Sequence, residues 1–336
     1  MKQLAIKSIG CALGMALACC SGASLSATAF ETKPVAAPAT NKLAMPVKNL
    51  ASAFITFWDA TQGQPTEARV AAFKRDIAPQ FAEFYGIARD NGRITEQQQD
   101  AKIARAIEQF GPQRTAFVDK VAAFELLLDR NVRSFRQVFP DFHGDVPLYL
   151  LHSLGEMDGG TRTLSGKNHL IFGVDGMVRY HKPGSDESAF FHHELFHVYH
   201  TTQKTDCEEM WCSLWREGLA VHVAKTLNPN ASEDELLLAI PAGLVTNTQT
   251  KRRESLADLK SVLDSTDHEV YAGLFSTQGK ANASGLPTRR GYVLGYWVAQ
   301  ELGKRYNLRE LAKMPPDQVK PLVFAAVDAL LAQASR

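Results

Sequence analysis

Residues 192–200 of the chain read His-His-Glu-Leu-Phe-His-Val-Tyr-His, and within them lies His193-Glu194-x-x-His197. Histidines four apart fall on one face of a helix, so both imidazoles can reach a single ion while the intervening glutamate holds a water. Such a donor set suits Zn2+, which with three protein ligands keeps a fourth position for water and lowers its pKa to about 7. Glu194 is then the base that takes the water's proton and passes it to the leaving group. Trp215-Arg216-Glu217-Gly218-Leu219-Ala220 supplies the third ligand, Glu217, from a second amphipathic helix that a short turn can bring opposite the first. Other donors fit less well. Glu208 and Glu209 lie too near the turn, the position where a metzincin would carry its third histidine is Gln203, and His192 and His200 are read as exposed or supporting residues.

Helices near 187–203 and 208–227 must carry these side chains, and helical spacing returns near 251–264, 288–306 and 316–334. Ahead of them, the apolar runs at 146–151 and 169–174, bounded by Gly, Pro and Asp, read as two strands. From Leu50 to about Phe139 apolar residues recur at helical spacing, with Gly92 and Gly111-Pro112 as breaks. The fold class is therefore α+β and mostly helical, with a small mixed sheet. The divisions are a helical N-terminal region over 49–140 and a catalytic region over 141–336, without internal repeat.

The 336 residues carry 37 basic and 36 acidic side chains with no long Lys/Arg run, so nothing marks a nucleic-acid surface. Lys2 and Lys7, an apolar stretch from Ile9 to Cys20, and Ala27-Thr28-Ala29 have the three parts of a secretory signal over 1–29. A Pro- and Ala-rich flexible leader over 30–48 follows, and no membrane span remains in the mature chain. These features predict a periplasmic or secreted protein. Leu17-Ala18-Cys19-Cys20 loosely resembles a lipoprotein cleavage site, which gives a lipid-anchored alternative. Removal of the signal leaves Cys207 and Cys212, which in an oxidising compartment read as one disulfide, provided that a turn or helix start separates them.

His193-Glu194-x-x-His197 followed by Glu217-Gly218-x-Ala220 resembles the gluzincin metallopeptidases, over roughly residues 145–307. The resemblance implies a zincin-like helix pair with a packed sheet, a zinc held by His193, His197 and Glu217, and Glu194 as catalytic base. It also implies an edge strand ahead of the motif that docks substrate backbone, for which 169–174 is the candidate. Tyr292-Val293-Leu294-Gly295 is similar to the Tyr-x-x-Gly segment of gluzincin aminopeptidases, which implies Tyr292 as hydrogen-bond donor to the oxyanion, with Tyr296 as second choice. Gly155-Glu156-Met157-Asp158-Gly159 stands where those enzymes carry Gly-x-Met-Glu-Asn, which implies substrate contacts by Asp158 and Gly159; the same five residues also read as a glycine-rich hairpin turn. Val221 departs from the thermolysin pattern, whose Asp at that place orients a ligand.

The expectation is a zinc-dependent peptidase acting on extended peptide or protein substrates. The competing class is an envelope binding protein that keeps the fold without hydrolysis, against which the retained Glu194 argues, because a structural zinc needs no base.

Overall fold

A computed structural model describes residues 45–90, 94–201, 207–280 and 284–335, so the signal segment, most of the leader and Gly92 lie outside the described residues. The leader's last residues depart from expectation, because Val47–Asn49 form strand β1. β2 (Leu148–Leu151), β3 (Gly159–Leu164) and β4 (Lys167–Gly173) complete a mixed sheet of order β1-β2-β4-β3. β1, β2 and β4 run parallel, and β3 pairs antiparallel with β4.

The first four helices are α1 (Ala51–Ala60), α2 (Thr66–Asp76), α3 (Ala82–Tyr85) and α4 (Glu96–Val138). After the sheet come α5 (Val174–Tyr180), α6 (Ser188–Thr201), α7 (Met210–Leu227), α8 (Leu244–Thr250) and α9 (Arg252–Val262). The last four are α10 (His268–Phe275), α11 (Arg290–Gly303), α12 (Leu308–Lys313) and α13 (Pro316–Gln333). The protein is thus mostly helical with one small mixed sheet. Among the described residues no helix is long and apolar enough to cross a membrane.

Gly111-Pro112 does not break the chain; both sit inside the 43-residue α4. A capping box starts this helix, in which Gln98 N donates to Thr95 Oγ1 (3.2 Å) and Thr95 N to Gln98 Oε1 (2.7 Å). Phe110 and Phe117, two residues before the proline and five after it, are fully buried, whereas Pro112 and Glu108 are exposed. The carbonyl that Pro112 cannot serve therefore belongs to a residue on the solvent face, and apolar burial on the opposite face outweighs the loss. This long helix contacts α5 and α6, and one hydrophobic cluster runs from Phe54 through Phe172 and Phe191 to Val327. The boundary at 140/141 accordingly separates no cores, and the described residues belong to one compact unit.

The sheet shows where sequence patterning ran short. β4 is an interior strand, flanked by β2 and β3, so the edge strand expected at 169–174 is instead β3. Gly-Gly-Thr-Arg-Thr-Leu has one large apolar residue because most of β3 is open to solvent, and its hairpin to β4 turns on Ser165 (φ 48°) and Gly166 (φ 75°). Gly155–Gly159 is a turn as expected, but not a hairpin, since it links β2 to β3 past β4. The buried Asp175 carboxylate fixes it, accepting hydrogen bonds from Ser153 N (2.6 Å), Ser153 Oγ (2.9 Å) and Gly155 N (2.7 Å).

α7 lies between α6 and α11. Its start is tied to the chain after α9 by Met210 N to Ser265 O and Trp211 N to Leu263 O, both 2.8 Å. Cys207 and Cys212 lie at disulfide-forming distance, with Cα atoms 6.2 Å apart and the start of α7 between them. Against α11 the approach is closer still. A Cβ on Gly218 would stand 2.1 Å from the Gly295 carbonyl carbon, and one on Gly295 would stand 2.5 Å from the Leu214 carbonyl oxygen. The glycines after Glu217 and after Tyr292 are thus the two halves of one helix crossing.

Gly218→Ala should cost about 1–3 kcal/mol or more by forcing the helices apart. Urea unfolding measures this, and an unchanged midpoint would show that the crossing tolerates a side chain.

Candidate metal centre

α6 and α7 bring the three expected donors together. His193 Nε2 lies 3.0 Å from His197 Nε2, and Glu217 Oε2 lies 3.4 Å and 3.2 Å from them respectively. Three donors bound tetrahedrally at 2.0–2.1 Å from one zinc would be roughly 3.3 Å apart. The triangle therefore matches that ion's requirements, and its two-imidazole, one-carboxylate chemistry suits it equally. Burial by itself would raise the Glu217 carboxyl, but the charges and hydrogen bonds of His197 and His193 outweigh it and hold the group well below the usual range.

Glu194, next to the first imidazole, is buried, and its Oε2 has no hydrogen-bond partner among the described residues. Burial pushes its carboxyl from an ordinary 4.5 up to about 7, with His193 opposing. An uncommitted carboxylate tuned near neutrality can accept a proton and release it again. β3 lies against α6, and a Cβ on Gly159 would meet Phe190 at 2.6 Å and the Glu194 Cγ at 3.1 Å. Glycine there lets the strand pass directly over the candidate base.

A cleft of about 620 Å³ opens over the triad, with Asp158, Gly159 and Arg162 on one wall, Tyr271, Arg289 and Tyr292 among its other lining residues, and Arg216 beside Glu217. Asp158 is held by His181, whose Nε2 lies 3.4 Å from its Oδ2 and whose Nδ1 lies 2.5 Å from Glu187 Oε1. Burial disfavours charge on all three, yet mutual pairing prevails, keeping the Asp158 and Glu187 carboxyls low and the His181 imidazole raised. Of the two tyrosines, Tyr292 lines the cleft and Tyr296 does not. The Tyr292 ring packs edge-on against Phe275 (5.7 Å), and burial, reinforced by the Glu217 charge, holds its hydroxyl protonated and so available as a donor. Tyr296 instead accepts from Gln300 Nε2 (2.9 Å), with its ring 6.1 Å from that of His222.

Neither remaining histidine joins the triad, and neither is exposed. His192 contacts Ser134 Oγ (2.7 Å) and Asn228 Nδ2 (2.8 Å), bridging α4 to the end of α7, and burial lowers its pKa to about 4. His200 stacks on Phe196, and burial takes it likewise to about 4. Glu209 precedes α7 within reach of Lys320 (3.7 Å), and Glu208 is exposed. Val221 packs with Leu238, Leu244 and Val293, so that place offers no carboxylate to orient a ligand. Sequence reasoning missed His181, Arg162, Tyr271 and Arg289, which carry no spacing signal. Arg216 stood in plain view beside Glu217.

Comparison of the chain with protein-family models, with curated proteins and with solved structures yields no match.

Because the folded state favours protonated Glu194, its contribution to stability is full below about pH 4.5 and is lost as pH rises through about 7. In the metal-free protein, Glu194→Gln should therefore add on the order of 1–3 kcal/mol at about pH 8, with the gain vanishing toward about pH 5. Urea titrations at the two pH values test this, and a pH-independent difference would place the Glu194 carboxyl at its ordinary pKa.

Proposed function

We propose that the chain is a zinc-dependent hydrolase of gluzincin type, acting as a peptidase on extended substrates. One observation carries the reading: a triangle of two imidazole nitrogens and a carboxylate oxygen, 3.0–3.4 Å on a side, lies beside the buried Glu194 carboxyl, whose Oε2 has no hydrogen-bond partner among the described residues. His193, His197 and Glu217 would hold the ion. When bound, zinc supplies a Lewis acid and lowers the pKa of a coordinated water to about 7.

The chain's own groups do the rest. β3 offers the backbone hydrogen-bonding groups of its open edge, so an extended peptide adds there as a further strand. Glu194, directly beneath Gly159, takes the proton from the attacking water and delivers it to the leaving amine. The Tyr292 hydroxyl donates a hydrogen bond to the oxygen of the attacked carbonyl as charge develops on it. Asp158, with its Oδ2 3.4 Å from His181 Nε2, accepts a hydrogen bond from Gly159 N (2.9 Å) and so fixes the start of the docking strand. A binding protein of the same fold would have no use for an unbonded base at this position, which favours the enzymatic reading.

Elemental analysis of the purified protein should give about one zinc per chain, and Glu217→Ala should lose it. Protein that neither contains nor takes up zinc would sink the proposal.

Against a library of short peptides, the zinc-loaded protein should show turnover that Glu194→Gln abolishes without loss of metal. Tyr292→Phe should lower kcat by about ten- to a thousandfold. Wild-type rates in either variant would remove that residue from the mechanism.

A further inference from the structure

The charges lining the cleft are unequally matched. Each acid there outside the catalytic group already has a partner. Glu156 pairs with Lys102, Asp158 with His181, and Glu235 accepts hydrogen bonds from Ser232 N (2.8 Å) and Asp186 N (3.1 Å). Glu217 and Glu194 serve the metal and the proton transfer. The arginines are different. Arg162 on β3, Arg216 on α7 and Arg289 at the start of α11 all line the cleft, and none has a carboxylate partner among the described residues.

Arg289 is the most firmly placed of the three. Its backbone is left-handed (φ 61°), a conformation that a long side chain adopts only when its surroundings impose it. Nη1 donates to Leu237 O (3.3 Å) and Ile240 O (3.0 Å), and the guanidinium lies 4.7 Å from the centre of the Tyr292 ring. This anchoring uses one nitrogen. Nε and Nη2 make no hydrogen bond among the described residues, and these two present the paired N–H geometry that grips a carboxylate in bidentate fashion. Among the described residues Arg216 makes one weak side-chain hydrogen bond, Nη2 to Ser213 Oγ at 3.3 Å, and Arg162 is exposed on the docking strand. Both line the cleft together with Tyr271 and Arg289, so their charges converge on the same space.

We propose that the cleft selects peptides bearing a carboxylate close to the scissile bond, with Arg289 as its anchor and Arg216 and Arg162 adding the attracting field. This rests on the peptidase reading above. The carboxylate could belong to an acidic side chain or to the peptide's C-terminus, and Arg289 recognises the group in either case. A guanidinium already fixed against two carbonyls and a tyrosine ring loses little freedom on binding, so the selection falls on affinity as well as on encounter rate. Arg289 also touches the ring of the proposed oxyanion donor, which places the recognised charge beside the reacting carbonyl.

The test uses the full zinc-loaded protein carrying Glu194→Gln, which binds without turning over, and three fluorescent peptides of otherwise equal sequence: neutral and amidated, amidated with one internal Glu, and neutral with a free C-terminus. Anisotropy at low salt should show at least one carboxylate peptide binding about tenfold or more tighter than the neutral one, with the gap narrowing as salt rises. Which of the two wins identifies the source of the group. Adding Arg289→Ala should erase the preference while Arg289→Lys, lacking the fork, restores only part of it. Arg162→Glu, on an exposed strand position, gives a second reading should loss of Arg289 disturb the start of α11, and it should weaken carboxylate peptides alone. Equal binding of all three peptides, or a preference that survives both Arg289→Ala and Arg162→Glu, overturns the inference. Separately, a wild-type protein that binds carboxylate peptides selectively but cleaves none would sink the peptidase reading and leave only the recognition of a carboxylate by Arg289 standing.

Discussion

Three electron-rich atoms within 3.4 Å of one another, two of them imidazole nitrogens and one a carboxylate oxygen, attract only if a cation or a proton lies among them. Holding such atoms together out of water is unfavourable, so the surrounding structure has to enforce it. α6 contributes two donors through a four-residue spacing that needs nothing beyond a helix. Glu217 arrives from another helix, and its placement depends on how α7 is seated. That seat has three parts: backbone hydrogen bonds from the start of α7 to Leu263 and Ser265, the cysteine pair that spans this start, and the glycine crossing with α11.

The crossing joins two functions that look separate along the chain. Gly218 follows the third donor and Gly295 follows the tyrosine of the cleft by one turn, so the contact that seats Glu217 also sets the distance to Tyr292. The opposite wall is built differently. Asp175 clamps the turn after β2, His181 clamps Asp158 at the end of that turn, and Gly159 then lets β3 pass over Glu194 without a side chain between them. Buried ionic groups are a weak source of net stability, but removing one partner leaves an uncompensated charge, so they fix geometry strictly. The site is therefore bordered by a close-packed helix crossing on one side and by a hydrogen-bonded turn on the other.

Local rules reached some of this and failed at identifiable points. The helices that carry the donors, those near 251–264, 288–306 and 316–334, and the interior strands were legible because burial imposes period on apolar residues, whereas the short α10 and α12 were not. β3 was not, since a strand with one face in solvent and an edge left open needs few apolar residues. Pro112 misled for the reverse reason: its local cost is real, but the buried face of α4 overrides it, and the carbonyl left without a donor belongs to the exposed Glu108.

The sequence by itself pointed to His193, His197 and Glu217 as candidate donors, to Glu194 beside them, to the cysteine pair and to the α+β class, because each rests on residue type and on spacing along the chain. Tertiary structure alone decided which strand forms the edge, which tyrosine faces the cleft, that His192 and His200 are buried supports, and that the arginines of the cleft lack acidic partners among the described residues. Those properties belong to pairs of residues far apart in the chain, such as Gly218 with Gly295, Asp158 with His181 and Arg289 with Leu237. No periodicity along one segment encodes a distance to another; that distance is fixed only when the two segments pack.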